Sequence, residues 1–292
     1  MKVGLFGNSS YTKEALLLIQ EIIADLQSRN VHLFYTKELF DCLLKKAILT
    51  DNESWFENAD SLPEIDFAFS IGGDGTILRT ATYIGKKEIP ILGINAGRLG
   101  FMATIQSNEV KSALDEFFNK EYSIESRILV RYSDEDSIFE NTNYGLNDFS
   151  ITKKDTASMI VIHTFIDGDF LNSYWADGLL ISTPTGSTGY NLSCGGPLVM
   201  PQTNNFIIAP INPHNLNVRP MIVPDTSKLS FEVEGRAKKV LLTLDSRSKA
   251  VSTQTKFFVD KADFSVKLVK LDSNSYFNTL RNKLNWGKDA RN

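Results

Sequence analysis

The stretch Ile65-Asp-Phe-Ala-Phe-Ser-Ile71-Gly-Gly-Asp-Gly-Thr76-Ile-Leu-Arg79 is an almost unbroken apolar run that opens into a glycine-rich loop and then into helix-compatible residues. A strand that is apolar on both faces suits a parallel sheet covered by helices on each side. The neighbouring elements agree. Lys2 to Phe6 reads as a strand, and Leu16, Ile19, Ile22, Ile23 and Leu26 recur at helical spacing. Val31 to Tyr35 is a second strand, Thr36 stands where it can cap a helix through Leu49, Ile89 to Ile94 is a further strand and Ser107 to Asn119 a further helix. Residues 1–125 are therefore expected to form an α/β domain, an open, mainly parallel sheet with flanking helices.

From about Ser126 the pattern changes to short runs rich in β-branched and aromatic residues, among them ILVRYS, KLSFEVEG and KVLLTL, so the region 126–274 is expected to be mostly β. Asp167-Gly168 has the chemistry of a tight hairpin turn, and Asp134 to Asp136 reads as an acidic loop. Ser275 to Trp286, with Phe277, Leu280 and Leu284, reads as an amphipathic terminal helix that can pack back on the first domain.

Composition bounds the function. In 292 residues, 31 Lys and Arg stand against 35 Asp and Glu, a formal charge of -4. That gives no basic footprint for duplex nucleic acid or an anionic membrane surface, so the expected partners are small molecules. No segment approaches the ~18 apolar residues of a membrane span. Cys42 and Cys194 are the two cysteines and form neither a disulfide framework nor a zinc pattern, which makes the cytoplasm the expected compartment.

Two segments carry chemistry. Gly72-Gly73-Asp74-Gly75 follows a strand and opens a helix, the place where an open α/β sheet receives ligands and where backbone N–H groups meet phosphate oxygens. The glycines let the backbone approach a polyphosphate. Asp74 would repel that anion unless it takes a proton from an attacking hydroxyl or holds a metal ion; otherwise it is an N-cap. The P-loop pattern is absent, a dinucleotide fingerprint begun at Gly73 meets Leu78 where glycine is required, and Thr185 breaks the serine-hydrolase pattern around Ser187. The second segment, Asp177 to Pro197, sets an apolar strand before a run of glycines and hydroxyls and then Tyr190, which suits contacts to phosphate, ribose and base.

Taken with Gly93-Ile-Asn-Ala-Gly-Arg-Leu-Gly-Phe101, Asn147-Asp148, Pro213-His214 and Arg219-Pro220, these segments make the chain resemble the NAD kinases, and Leu280 to Trp286 looks familial as well. The resemblance implies ATP-dependent phosphorylation of the 2′-hydroxyl of the adenosine ribose of NAD, giving NADP. It also implies a β-sandwich C-terminal domain that binds NAD, a divalent cation such as magnesium, and a homodimer or homotetramer. By matching positions, Asp74 is the implied catalytic carboxylate. The implied NAD and nucleotide contacts are Gly75, Arg79, Phe101, Asn147, Asp148, Asp177, Thr185, Thr188, Gly189, Tyr190, Asn191, Leu192, Ser193 and His214. Trp175 stands where relatives carry Arg or Gln. Two other readings stay open, a lipid or sugar kinase of the wider Gly-Gly-Asp-Gly superfamily and a non-catalytic nucleotide-binding regulator.

Overall fold

The computed structural model describes residues 1–133, 138–154, 159–236 and 238–285; the expected acidic loop at Asp134 to Asp136 and the end of the terminal helix at Trp286 lie outside them. The chain divides into two compact units, one built from residues 1–126 and 266–285, the other from Arg127–Ser265.

In the first unit β1 (Lys2–Phe6), α1 (Lys13–Ser28), β2 (His32–Thr36), α2 (Lys37–Lys45), β3 (Trp55–Phe56), β4 (Phe67–Gly72), α3 (Asp74–Ile84), β5 (Ile91–Asn95), α4 (Val110–Phe118) and β6 (Tyr122–Arg127) follow one another. The apolar spacing read from α1 is its buried face: Ile19, Ile22, Ile23 and Leu26 enter the core, and Thr12 Oγ1 accepts the N–H of Ala15 at its start. Helix α2 is shorter than the pattern suggested. The chain turns at Ala47, whose φ is 56°, and the N–H of Ile48 returns to Leu43 O.

The second unit contains β7 (Val130–Ser133), β8 (Tyr144–Gly145), β9 (Asp148–Lys153), β10 (Ile160–Ile166), β11 (Asp169–Ala176), β12 (Gly178–Ser182), the short α5 (Tyr190–Ser193), β13 (Asn205–Ile211), β14 (Met221–Pro224), β15 (Leu229–Glu234), β16 (Lys239–Leu244), β17 (Arg247–Ser252) and β18 (Phe257–Lys261). They make two six-stranded sheets, β11-β10-β15-β18-β7-β8 and β14-β13-β12-β9-β16-β17. Every pairing between successive neighbours in both sheets is antiparallel. Inward residues of both, including Ile162, Phe231, Phe149 and Leu242, share one apolar core, which makes the unit a sandwich. Asp167 and Gly168 turn β10 into β11 with φ of 53° and 93°, the positive pair that a tight hairpin requires.

The chain then leaves the sandwich. Strand β19 (Val266–Leu271) pairs in parallel with β5 and completes the first sheet in the order β3-β2-β1-β4-β5-β19-β6, and α6 (Tyr276–Leu284) follows it. The second unit thus ends at Ser265, short of the expected 274, because the apolar residues of β19 are the covering for β5: Leu271 joins the core of the first unit. Ser273 binds Glu116 through its N–H and hydroxyl at 2.8 and 2.7 Å, fixing the entry to α6. Of the apolar face expected on that helix, Leu280 is buried, Leu284 half-buried and Phe277 exposed.

Candidate functional site

In the first sheet β1 has β2 on one side and β4 on the other, so the chain order reverses between β1 and β4. Crevices at the carboxyl ends of strands beside such a reversal are where open α/β sheets take ligands. Two loops meet there, Gly7-Asn8 after β1 and Gly72-Gly73 after β4. Tyr11 clamps them, since its hydroxyl donates to Ile71 O at 2.7 Å and accepts the N–H of Asn8 at 2.8 Å. Burial pushes the Tyr11 hydroxyl up to about 12, so it remains a donor at neutral pH.

Asp74 is the first residue of α3, after Gly73 as cap, and its carboxylate caps nothing in that helix. It reaches instead to the loop after β5. Oδ2 accepts the N–H of Phe101 at 2.8 Å, and Oδ1 accepts those of Met102 and Ala103 at 3.0 Å each. The capping alternative is not what this side chain does: its carboxylate faces the loop after β5, and the helix starts with no side-chain cap. A Cβ on Gly100 would collide with the Asp74 carboxylate, so the glycine there is a requirement of the close approach. Asn95 holds the same loop open, taking the N–H of Gly97 on Oδ1 at 2.7 Å and donating to Arg98 O at 2.5 Å.

Gly75 is exposed beside Asp74 with open space at its Cβ position, and Phe101 is half-buried. Arg79 is turned elsewhere. Its guanidinium donates to Glu38 at 3.1 Å, to Gly7 O and to Asn8 Oδ1, which fixes it on the β1 loop rather than beside the carboxylate.

The second unit brings most of the remaining residues together. Asn147 and Asp148 form the turn into β9, and the buried carboxylate of Asp245, in the β16–β17 turn, accepts the N–H groups of Leu146, Asn147 and Asp148 at 2.9, 2.8 and 3.2 Å. Thr183 Oγ1 donates to Leu146 O at 2.6 Å and accepts the N–H of Gly186 at 3.1 Å, tying the turn to the loop after β12. Gly186 lies so close to Asn147 O that a Cβ would collide with it. Burial raises both buried carboxyls, and the nearby Asp245 raises Asp148 further. Three N–H donors and Arg247 pull Asp245 back against its burial, and Asp148 is pushed up to about 7.

Asp177 is held charged, first by Lys153 at 2.5 Å and also by Asn212 at 3.2 Å. Tyr190 is exposed on α5 and lies within electrostatic reach of Cys194, Asp148 and Asp177; burial of its base raises its hydroxyl. Thr188, Gly189 and Leu192 are half-buried around it, Ser193 is exposed, and His214 is exposed with its N–H on Trp175 O. Thr185 is buried with a hydroxyl that no protein group satisfies, an orphan that a ligand can complete. Asn191 does not join the group: it is fully buried and its amide donates to Ser187 O and Pro197 O, closing the loop from within. Cys194 packs beside Leu180, Ala209 and Ile211, and burial raises its thiol, as expected of a packed cysteine.

Comparison with known proteins places this geometry. The ATP-NAD kinase N-terminal domain matches residues 3–122 and the ATP-NAD kinase C-terminal domain residues 146–271. The NAD kinase of Cytophaga hutchinsonii is 49% identical over 97% of either chain, and that of Flavobacterium johnsoniae 39% identical over the whole of both. Among solved structures, yeast NADH kinase complexed with NADH superposes with a TM-score of 0.86 at 21% identity, covering 99% of this chain and 88% of that one. An NAD kinase from Archaeoglobus fulgidus in complex with ATP gives 0.75 at 24% identity, covering 98% and 99%. The chain belongs to the ATP-NAD kinase family. This sets aside the lipid or sugar kinase and the non-catalytic regulator.

Proposed function

We propose that this chain, an ATP-dependent NAD kinase by family, moves the terminal phosphoryl group of ATP onto the 2′-hydroxyl of the adenosine ribose of NAD with Asp74 as the carboxylate at that hydroxyl. The observation that carries the reading is the way Asp74 is held. A carboxylate offers about four acceptor positions; the N–H groups of residues 101–103 use two on Oδ1 and one on Oδ2. One position on Oδ2 remains to orient a hydroxyl and accept its proton as the new P–O bond forms. Phosphoryl transfer asks little covalent chemistry of the protein, so a fixed proton acceptor beside glycine-rich backbone is what the reaction needs.

Asn147, Asp148, Asp177 and Tyr190 then hold the dinucleotide. Charge-assisted hydrogen bonds from ribose hydroxyls to Asp148 contribute roughly 1.5–3 kcal/mol each. The divalent cation belongs to the substrate. Among the described residues no group of three or more His, Cys, Asp or Glu can hold a metal ion, and magnesium is usually carried on nucleotide phosphates with one or two protein carboxylates.

The chain self-associates as a homodimer or homotetramer through the outer face of the sheet containing β10 and β11. There Phe170, Trp175 and Phe258 are exposed at 59%, 56% and 47%, a patch that calls for a cover. Light scattering at micromolar protein reads the mass. The free thiols of Cys42 and Cys194 fit the reducing cytoplasm. The activity is tested by incubating pure protein with ATP, magnesium and NAD and reading NADP with a dehydrogenase specific for it. Formation of NADP that depends on both substrates is expected, and its absence contradicts the reading.

A further inference from the structure

Lys283 lies near the end of α6, a helix whose charged residues would ordinarily face water. It does not stand free. Its ammonium is 3.7 Å from Asp74 Oδ2 and 4.5 Å from the centroid of the Phe101 ring. The position is set from below, because Leu280, one turn earlier, is 3% exposed and anchors the helix in the first unit. The ammonium thus stands over the ring of Phe101, the residue whose backbone N–H donates to Asp74, and about a third of the side chain remains accessible.

Asp74 already has three backbone donors, so the lysine is not required to hold it in place. At 3.7 Å the ammonium is also too far for a hydrogen bond to the carboxylate. It lies on the Oδ2 side, the side with an unused acceptor position. We propose that Lys283 is a phosphate-contacting residue of the reaction: its ammonium engages the terminal phosphate of the nucleoside triphosphate beside Asp74. The inference rests on the reading of Asp74 as the carboxylate at the acceptor hydroxyl.

In the step, the bond between the terminal phosphorus and the β,γ-bridging oxygen breaks, and a bond forms from that phosphorus to the acceptor oxygen. The hydroxyl proton passes to Asp74 and the nucleoside diphosphate leaves. Lys283 keeps its proton throughout and supplies a compact positive charge to the equatorial oxygens, a task lysine performs as a point charge where arginine would bind as a fork. Its stacking on Phe101 limits the conformations it must give up on binding.

The test uses the full chain and three variants, Lys283→Met, Lys283→Arg and Asp74→Asn, with turnover read as NADP formed and nucleotide binding read by calorimetry with a non-hydrolysable ATP analogue and with ADP. Lys283→Met is expected to lower turnover 10- to 100-fold. It should also erase most of the preference for the ATP analogue over ADP, with the melting temperature unchanged. Lys283→Arg should recover at least half of the logarithmic loss. Turnover within threefold of the parent overturns the proposal, as does a loss of turnover that leaves the ATP-over-ADP preference intact, or an arginine variant no better than methionine. Asp74→Asn separates the two readings: if it retains turnover the assignment of Asp74 fails, and if it loses turnover while Lys283→Met does not, only the lysine inference fails.

Discussion

Both units use the same local device and give it opposite tasks. In the first, three successive backbone N–H groups, those of 101–103, converge on Asp74; in the second, those of 146–148 converge on Asp245. In the first the carboxylate that is held is the proposed working group, a quarter exposed. In the second the held carboxylate is a buried support, and the proposed binding groups, Asn147 and Asp148, sit on the backbone that it holds. The difference follows from the task. A group that takes a proton from a hydroxyl must keep one oxygen open, whereas a binding turn must keep its shape, which a buried acceptor for three N–H groups enforces.

That comparison can be broken at either end. Replacing Asp74 by Ala removes the acceptor and leaves three N–H groups without it, and turnover should fall by about 10² to 10⁴, the usual cost of losing a positioned base. Steady-state NADP formation checks this. Asp245→Ala should leave the turn at 146–148 unsupported, costing about 2–4 kcal/mol of stability for the unpaired buried donors. It should raise KM for NAD at least tenfold with turnover at saturation within threefold; a lower melting temperature with unchanged KM would reduce Asp245 to a purely structural part.

The two carboxyls of the second unit also predict a pH dependence. With Asp148 pushed up to about 7, the fraction ionised rises roughly tenfold between pH 6 and 8, and KM for NAD should fall by about that factor if ribose hydroxyls bind the carboxylate. The stability effect has the opposite sign. A carboxyl whose folded value lies above its unfolded value near 4 holds a proton more tightly in the fold. Its contribution is full below about pH 4 and is lost as pH rises through 7, so Asp148→Asn should flatten the fall in melting temperature across that window. The smallest effect is a control outside both sites: Phe277, exposed on α6, should tolerate Ser within about 0.5 kcal/mol.

Much of this was legible before any coordinates. The apolar run of β4 into the glycine loop announced a parallel sheet with Asp74 at the carboxyl end of a strand, and the pattern after Ser126 announced a mostly β region, whose sandwich form was implied by the family resemblance. Three features were not legible for physical reasons. The pairing of β19 with β5 joins residues far apart in sequence, and no local pattern encodes a non-local partner. Asp245 reads as an ordinary turn residue, because its value lies in backbone groups about a hundred positions earlier. Lys283 reads as the solvent side of an amphipathic helix, and no local pattern tells that its ammonium stands over the ring of Phe101 and beside Asp74. Asn191 shows a further limit, since its place in a familial segment does not tell that its side chain is buried, with its amide donating to Ser187 O and Pro197 O.

The most direct test of one device with two tasks is the steady-state kinetics in NAD of a matched pair, Asp74→Asn and Asp148→Asn. In the first the amide keeps an oxygen for Met102 and Ala103 but sets an NH₂ against the N–H of Phe101, and it can no longer accept a proton. Turnover should drop at least a hundredfold with KM for NAD within about threefold of the parent. In the second, KM should rise at least tenfold while turnover at saturation holds within threefold. Loss of the same parameter in both variants, or an Asp74→Asn turnover within fivefold of the parent in a protein that folds normally, would contradict the account.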